Sequence, residues 1–479
     1  MKNILLALFV FSVLLSSCTK NFEDFNTDQK NPSEVEGEFL FTNAQKVLVD
    51  QISSTNVNRN VWKLFAQYWT ETTYTDEANY DIINRSIPDN TFDTYYRRIL
   101  KPLDEAKKLI AEDPLEPTET EAMRDSKIAI AELIEAYSYF NLVTIFGDVP
   151  YSEALNIENI SPKYDDDVAI CIALIEKIDA AYNKLSGDDS FGDADLIYEG
   201  DVTSWKKFAM SLKLKIAVVL ADANVTGINS ADWAQEAVQE GVFASNVDNA
   251  LLEYQGSSPN TNPLYEDLVA SGRNDFVPAN TIVDLMDSLT DPRMSSYFDD
   301  NLENWVGGVY GASNSYKVCS HINEDIQKPT FYGILLTYDE VEFYIAEAAA
   351  RGYNVGQTAE EAYNSAIAAS FEFWNADGCE EYLLQENVAW ATAGDDWRQK
   401  IGTQAYLAYY TRGYIGYTTY RRLDFPVMNV APSAATGGPI PLRFTYPVNE
   451  QTLNAVNYSA AAEAIGGDDM MTRLFWDVN

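Results

Sequence analysis

Histidine is almost absent from this chain: His321 is the only one among 479 residues. A Ser-His-Asp or Cys-His nucleophilic site would hang on that one side chain. A zinc site of His and Cys type lacks ligands at suitable spacing. Cysteine is scarce too. Cys18, Cys171, Cys319 and Cys379 are widely spaced and imply no disulfide framework. Cys171 lies in an apolar helical run (VAICIALI) and reads as a small core residue, which leaves room for one bridge, Cys319 with Cys379. Cations are few: 33 Lys and Arg against 73 Asp and Glu give a formal net charge of −40. That argues against a nucleic-acid partner, because phosphate binding needs clustered cations. It also argues against docking on anionic lipid. No Gly-rich phosphate loop occurs, since Gly307-Gly308 lacks the lysine and the strand–helix setting. No cofactor motif is present. Beyond the N-terminus, no run approaches the roughly 20 apolar residues that span a bilayer.

What is present begins with that N-terminus. Lys2 supplies a positive charge, Ile4 to Leu15 is an apolar run, and Ser16-Ser17-Cys18 follows. This order predicts a secretory signal peptide over residues 1–17. Leu15-Ser16-Ser17-Cys18 resembles the bacterial lipobox, which implies lipidation of Cys18 and a stable membrane anchor, because two or more acyl chains hold where one does not. An ordinary secreted protein with a chance cysteine at the cleavage site is the alternative. Residues 18–37 are polar and read as a tether. Within it Asp24, Asn26 and Asp28 have the opening spacing of a calcium loop, but Gln29 stands where glycine is needed and Val35 where glutamate is needed.

Apolar residues recur at helical spacing over most of the remainder. Helices are predicted from residue 38, over 92–112, Arg124–Phe146, Asp166–Leu185, Thr203–Asp222 (with Ser204 as a cap), Ala231–Glu240, Thr281–Ser288, Thr337–Arg351, Thr358–Phe373 and Trp397–Tyr410. Gly147 and Gly352 serve as stops. Thr337 with Glu340 and Thr358 with Glu361 have capping-box spacing. The helices fall in pairs about 35–40 residues apart, the pattern of a helical repeat. Residues 71–90 read as a loop. Two longer stretches lose the period: about 241–333, rich in Gly, Asn, Pro and aromatics, and about 411–479, rich in Gly, Pro and Asn. Long irregular regions in compact domains usually carry function. No set of amphipathic strands supports a sheet. The fold class is therefore all-α, with a helical core over about 38–240 and 334–410 in a single domain, 38–479.

Several segments, in order, resemble the SusD/RagB family of outer-membrane nutrient-binding lipoproteins. The lipobox with NFEDFNTDQKNPSEV resembles its mature N-terminus. Phe146 to Tyr151 (FGDVPY) resembles its turn, and Ser271 to Phe276 with Asp291-Pro292-Arg293 its middle excursion. Leu336 to Gly352 (LTYDEVEFYIAEAAARG) resembles its acidic-alanine helix, and Pro441 to Asn457 (PLRFTYPVNEQTLNAVN) its C-terminal block. The resemblance implies a right-handed superhelix of four irregular tetratricopeptide-like helix pairs with a loop-rich capping subdomain. It also implies a partner, a TonB-dependent (SusC-like) outer-membrane transporter, to which family members pass glycans or, in some branches, peptides.

Sugars offer C–H faces to aromatic rings and hydroxyls to polar side chains. Two loops supply both groups. The first has Trp69, Tyr74, Tyr80, Asp81, Asn84 and Arg85. The second has Arg273, Asn274 and Asp275, then Tyr297, Trp305, Tyr310 and Tyr316. The family binds glycan against aromatics of comparable regions, a correspondence by region only. For each ring, core packing is the competing assignment. No catalytic residue is assigned. Asp165-Asp166-Asp167, Asp188-Asp189 and Asp395-Asp396 read as solvated loops and helix starts. A lipid-anchored glycoside hydrolase stays open, requiring two acids across an aromatic cleft. So does a helical scaffold that binds only protein.

Overall fold

A computed structural model describes residues 35–115, 117–187, 189–299 and 301–478. The signal segment, Cys18 and the Asp24–Asp28 pattern lie outside the described residues.

Four helix pairs build the core. Gly37–Ser53 packs on Lys101–Glu112, Glu121–Phe146 on Asp167–Lys184, Val202–Val219 on Ser230–Glu240, and Tyr338–Ala350 on Ala359–Phe373. Their apolar stripes meet in one hydrophobic cluster that also takes in helices Trp397–Ala408 and Gly413–Leu423. Helix Glu121–Phe146 is long and apolar enough to cross a bilayer by composition, which the sequence reading passed over. Its apolar window is 89% buried inside the protein, so it is the central core helix. Thr120 caps it by accepting from the Met123 N–H at 3.2 Å, and Gly147 ends it at φ +88°.

Helix Tyr338–Ala350 is the hub. Its acids face inward: Asp339, Glu340 and Glu347 are fully buried. Arg412 binds Asp339 at 2.6 Å, Lys215 binds Glu340 at 2.9 Å, and Arg351 binds both Glu347 at 2.9 Å and Asp222 at 2.6 Å. Arg422 closes on the other Glu347 oxygen. The expected Thr337–Glu340 capping box does not form. Glu340 turns into the core toward Lys215, and the Thr337 hydroxyl bonds Asp339 and Arg412 instead. The Thr358–Glu361 box forms in full. Ser204 is also corrected: Asp201 is the cap and accepts the Ser204 N–H at 2.7 Å.

The C-terminal region is less irregular than its composition suggests. Helix Gly413–Leu423 lies deep in the core because two glycines let it approach. A Cβ on Gly413 would meet the Lys63 backbone at 2.4 Å, and one on Gly416 the Tyr68 hydroxyl at 2.3 Å. Arg443 is fully buried and donates to the Phe146 carbonyl at 2.9 Å, while the Tyr446 hydroxyl donates to the Asp148 carbonyl at 2.9 Å. The C-terminal block and the FGDVPY turn are thus one joint.

Among the described residues four short strands form two antiparallel ribbons, too small to alter the all-α class. β1 (Trp69–Glu71) pairs with β3 (Phe276–Pro278), and β2 (Ala250–Leu252) with β4 (Gly333–Leu336). Cys171, Cys319 and Cys379 are free thiols, so the Cys319–Cys379 bridge is absent.

Candidate functional site

The β1–β3 ribbon brings the two sequence-flagged loops together. Glu71 lies opposite Phe276. Just beyond, the Thr72 N–H donates to the Asp275 carbonyl at 2.8 Å and its hydroxyl to the Asn274 carbonyl at 2.7 Å. A third segment, 306–316, joins them: the Asn314 N–H donates to the Thr72 carbonyl at 3.0 Å.

Three asparagines that the sequence reading missed fasten these loops. The Asn314 carboxamide accepts the Val309 N–H at 2.8 Å and donates to the Ala312 carbonyl at 2.7 Å and the Glu71 carbonyl at 3.2 Å. Asn79 donates to Gly311 at 2.7 Å and accepts from the Ser433 N–H at 2.8 Å, which adds residues 431–435 to the assembly. Asn280 accepts from the Tyr310 N–H at 3.0 Å and from Asn429 at 3.2 Å. Asparagine suits this work because its short amide bonds nearby backbone in both directions. Gly307 has a structural reason: a Cβ there would stand 2.4 Å from the Asn280 Cα. The Gly-Gly pair lets two backbones touch.

The assembled loops present an open shelf. Tyr74 is 70% exposed and held at φ +56°, a left-handed conformation uncommon for a bulky residue. Arg273 is exposed and bonds the half-buried Asp275 at 2.5 Å. Val309 and Val430, on the neighbouring segments, are exposed as well.

Four flagged rings are corrected. Trp69, Tyr80 and Tyr310 sit in the core at 0%, 0% and 2% exposure. The Trp69 indole donates to the Tyr410 hydroxyl at 2.9 Å, Tyr80 meets Phe65 edge-on at 5.4 Å, and Tyr310 donates to the Leu64 carbonyl at 2.9 Å. Each aromatic body is packed and each polar tip is satisfied, so none faces a ligand. Tyr297, flagged with them, is buried as well, its hydroxyl on the Leu407 carbonyl at 2.8 Å. Asn84 and Arg85 are turned to their own loop, bonding Asp81 and Glu77. Trp305 is half-buried against Phe298, and half-buried Tyr316 stacks on His321 at 3.8 Å. His321 therefore serves as a stacking surface that also contacts Asp299 at 3.2 Å.

Beneath the shelf lies an acid pair. Glu71 is buried, and that burial pushes its carboxyl up to about 9, with the Glu77 carboxylate adding to the shift and the Ala78 N–H opposing it. Glu77 is tied to Arg85. A second acid group joins Asp148, Asp166 and Asp167, whose oxygens lie within 4.8 Å of one another. Asp148 and Asp167 are buried rather than solvated, and burial raises them to about 6 and about 8. Asp148 accepts the Asp167 N–H at 3.0 Å and Asp166 the Ala169 N–H at 2.8 Å, so the trio is accounted for as a helix start.

This geometry can be set beside known proteins. A family model described as starch-binding, associating with the outer membrane, matches residues 29–447. The chain belongs to this SusD-like family. A solved chitin-binding protein is 24% identical, covering 93% of this chain and 100% of its own, with a TM-score of 0.79. A chitin-binding SusD homologue from Flavobacterium johnsoniae is 22% identical over 92% of this chain and 98% of its own, at 0.78. A SusD homologue from Bacteroides ovatus is 23% identical over 92% and 99%, at 0.80. These likenesses establish the SusD fold. No curated protein matches the chain.

Proposed function

We propose that this SusD-like protein is a cell-surface lipoprotein that captures an oligosaccharide and delivers it to a TonB-dependent, SusC-like transporter in the outer membrane. Cys18 would carry the lipid anchor. The observation that carries the reading is the shelf. An exposed tyrosine on a left-handed backbone and an exposed Arg273 bonded to half-buried Asp275 stand on loops that asparagines fasten together. A ring face for C–H groups and directional donors and acceptors for hydroxyls are what sugar capture needs. Trp305 and Tyr316 extend the same excursion. Two of the solved relatives are named as chitin-binding, and the family description names starch.

The hydrolase reading is disfavoured by the acid pair itself. Glu71 and Glu77 are buried and directly interacting, whereas glycosidase carboxyls stand about 5–10 Å apart across the sugar. A peptide ligand on the same shelf remains the second reading, since an arginine and a carboxylate suit peptide termini equally well.

The test is calorimetric titration of the chain from residue 19 onward with maltoheptaose, chitohexaose and a casein-derived peptide, with product analysis of each mixture. Binding without turnover that weakens about tenfold in Tyr74→Ala is expected, the loss of one stacking contact. Cleavage of either sugar would replace the proposal with an enzyme, and binding of the peptide alone would replace the ligand class.

A further inference from the structure

Helix Asn280–Ser288 runs away from the shelf. Its first residue holds the Tyr310 loop, and its last turn ends at a separate groove of about 680 Å³. The helix rise sets its two ends about 12 Å apart. Segment 427–430 spans the same interval, with Asn429 bonded to Asn280 and Thr281 and exposed Val427 at the groove's edge.

The groove has the size of a small-molecule site. One wall is helix Trp397–Ala408, which contributes Gln399, Lys400, Thr403 and Gln404. The opposite wall is Leu285, Leu289 and the Phe425-Pro426-Val427 segment. Gly402 lets the walls close up at the base, since a Cβ there would meet Phe425 at 3.0 Å. The floor is rigid. Buried Gln404 is held by Arg293 at 3.2 Å and by Tyr382 at 3.0 Å, and Arg293 is itself clamped to Asp291 at 2.6 Å. Above this floor, Asn387, Gln399 and Thr403 form no side-chain hydrogen bond among the described residues. The lining carries one acid, Glu386, and one base, Lys400, on a chain whose formal charge is −40. Amide and hydroxyl groups in a neutral groove, backed by apolar walls, match an uncharged polyhydroxylated chain.

We propose that this groove is an extension subsite that receives the far end of a neutral oligosaccharide whose near end lies on the shelf. The inference rests on the sugar-capture reading and adds a chain-length requirement to it. Such a ligand gains affinity with length until it reaches the groove, because the second contact is intramolecular once the first is made.

The experiment compares maltotriose with maltoheptaose, and chitotriose with chitohexaose, on the wild-type chain, on Thr403→Trp, which fills the groove, and on the surface variant Gln399→Ala. Both variants are expected to bind the long chain about tenfold more weakly and the trisaccharide as the wild type does. Tyr74→Ala is expected to weaken both lengths. Equal affinity of wild type and both groove variants for the long chain would overturn the subsite and leave shelf capture standing. Loss of trisaccharide binding in Gln399→Ala would overturn it as well, by making the groove the primary site. A wild type that binds neither sugar series, or only peptide, would overturn both proposals.

Discussion

Tyr74 and Trp69 are five positions apart and were equivalent candidates by composition, yet their surroundings assign them opposite roles. Tyr74→Ala is expected to weaken ligand binding and leave stability within about 0.5 kcal/mol, as for other exposed positions. Trp69→Ala removes a fully buried ring and strands the Tyr410 hydroxyl, so it is expected to cost about 3–5 kcal/mol in urea unfolding. Glu71 offers a pH signature. Its folded carboxyl titrates near 9, against an ordinary value of 4.5. The folded protein therefore keeps a proton that the unfolded chain releases, and this contribution to stability is lost as pH rises from about 4.5 to about 9. Glu71→Gln mimics the protonated form. Its melting temperature is expected to pull ahead of the wild type as pH increases over that range and to gain nothing further above it; a constant gap would refute the assignment.

The helices show how far local signals carry at the next scale. Thr358 and Glu361 make the capping box that their spacing predicts, because both are exposed and nothing competes for them. Thr337 and Glu340 have the same spacing but lie inside, where Lys215 and Arg412 are the stronger partners. Thr358→Ala is expected to cost about 1 kcal/mol, the worth of an exposed cap. Thr337→Val is expected to cost roughly 1–3 kcal/mol, because it leaves the Arg412–Asp339 pair short of a buried hydroxyl. A loss at Thr337 smaller than that at Thr358 in a denaturant series would mean that the hub is not held as described. The loops follow the same logic. The sequence marked 241–333 as irregular and rich in aromatics, but the rings that turn inward meet partners far away in sequence, Tyr297 at the Leu407 carbonyl and Tyr310 at the Leu64 carbonyl.

For the whole molecule, the excess of 73 acids over 33 bases sets the surface field. Many bases are engaged in ion pairs, several of them buried at the hub and one at the Arg443 joint, so much of the negative charge has no cationic neighbour. Self-repulsion should lower stability at low ionic strength. Raising sodium chloride from about 10 mM to about 150 mM, where the Debye length falls to roughly 8 Å, is expected to raise the melting temperature. A fall would show that surface ion pairs outweigh the repulsion. The buried Arg443 joint between the FGDVPY turn and the C-terminal block works at the same scale, binding residues almost 300 positions apart into one unit.

The helical class, the pairing of helices, the stops at Gly147 and Gly352 and the family resemblance were all carried by the sequence, because periodicity, capping and turn chemistry act over a few residues. The burial of Trp69, Tyr80 and Tyr310, the inward turn of Glu340, the β1–β3 ribbon that joins the two flagged loops and the groove beside helix Trp397–Ala408 were decided only by tertiary structure. An aromatic or acidic residue carries the same local signal on a surface as in a core. Which of the two it occupies is fixed by partners hundreds of residues away.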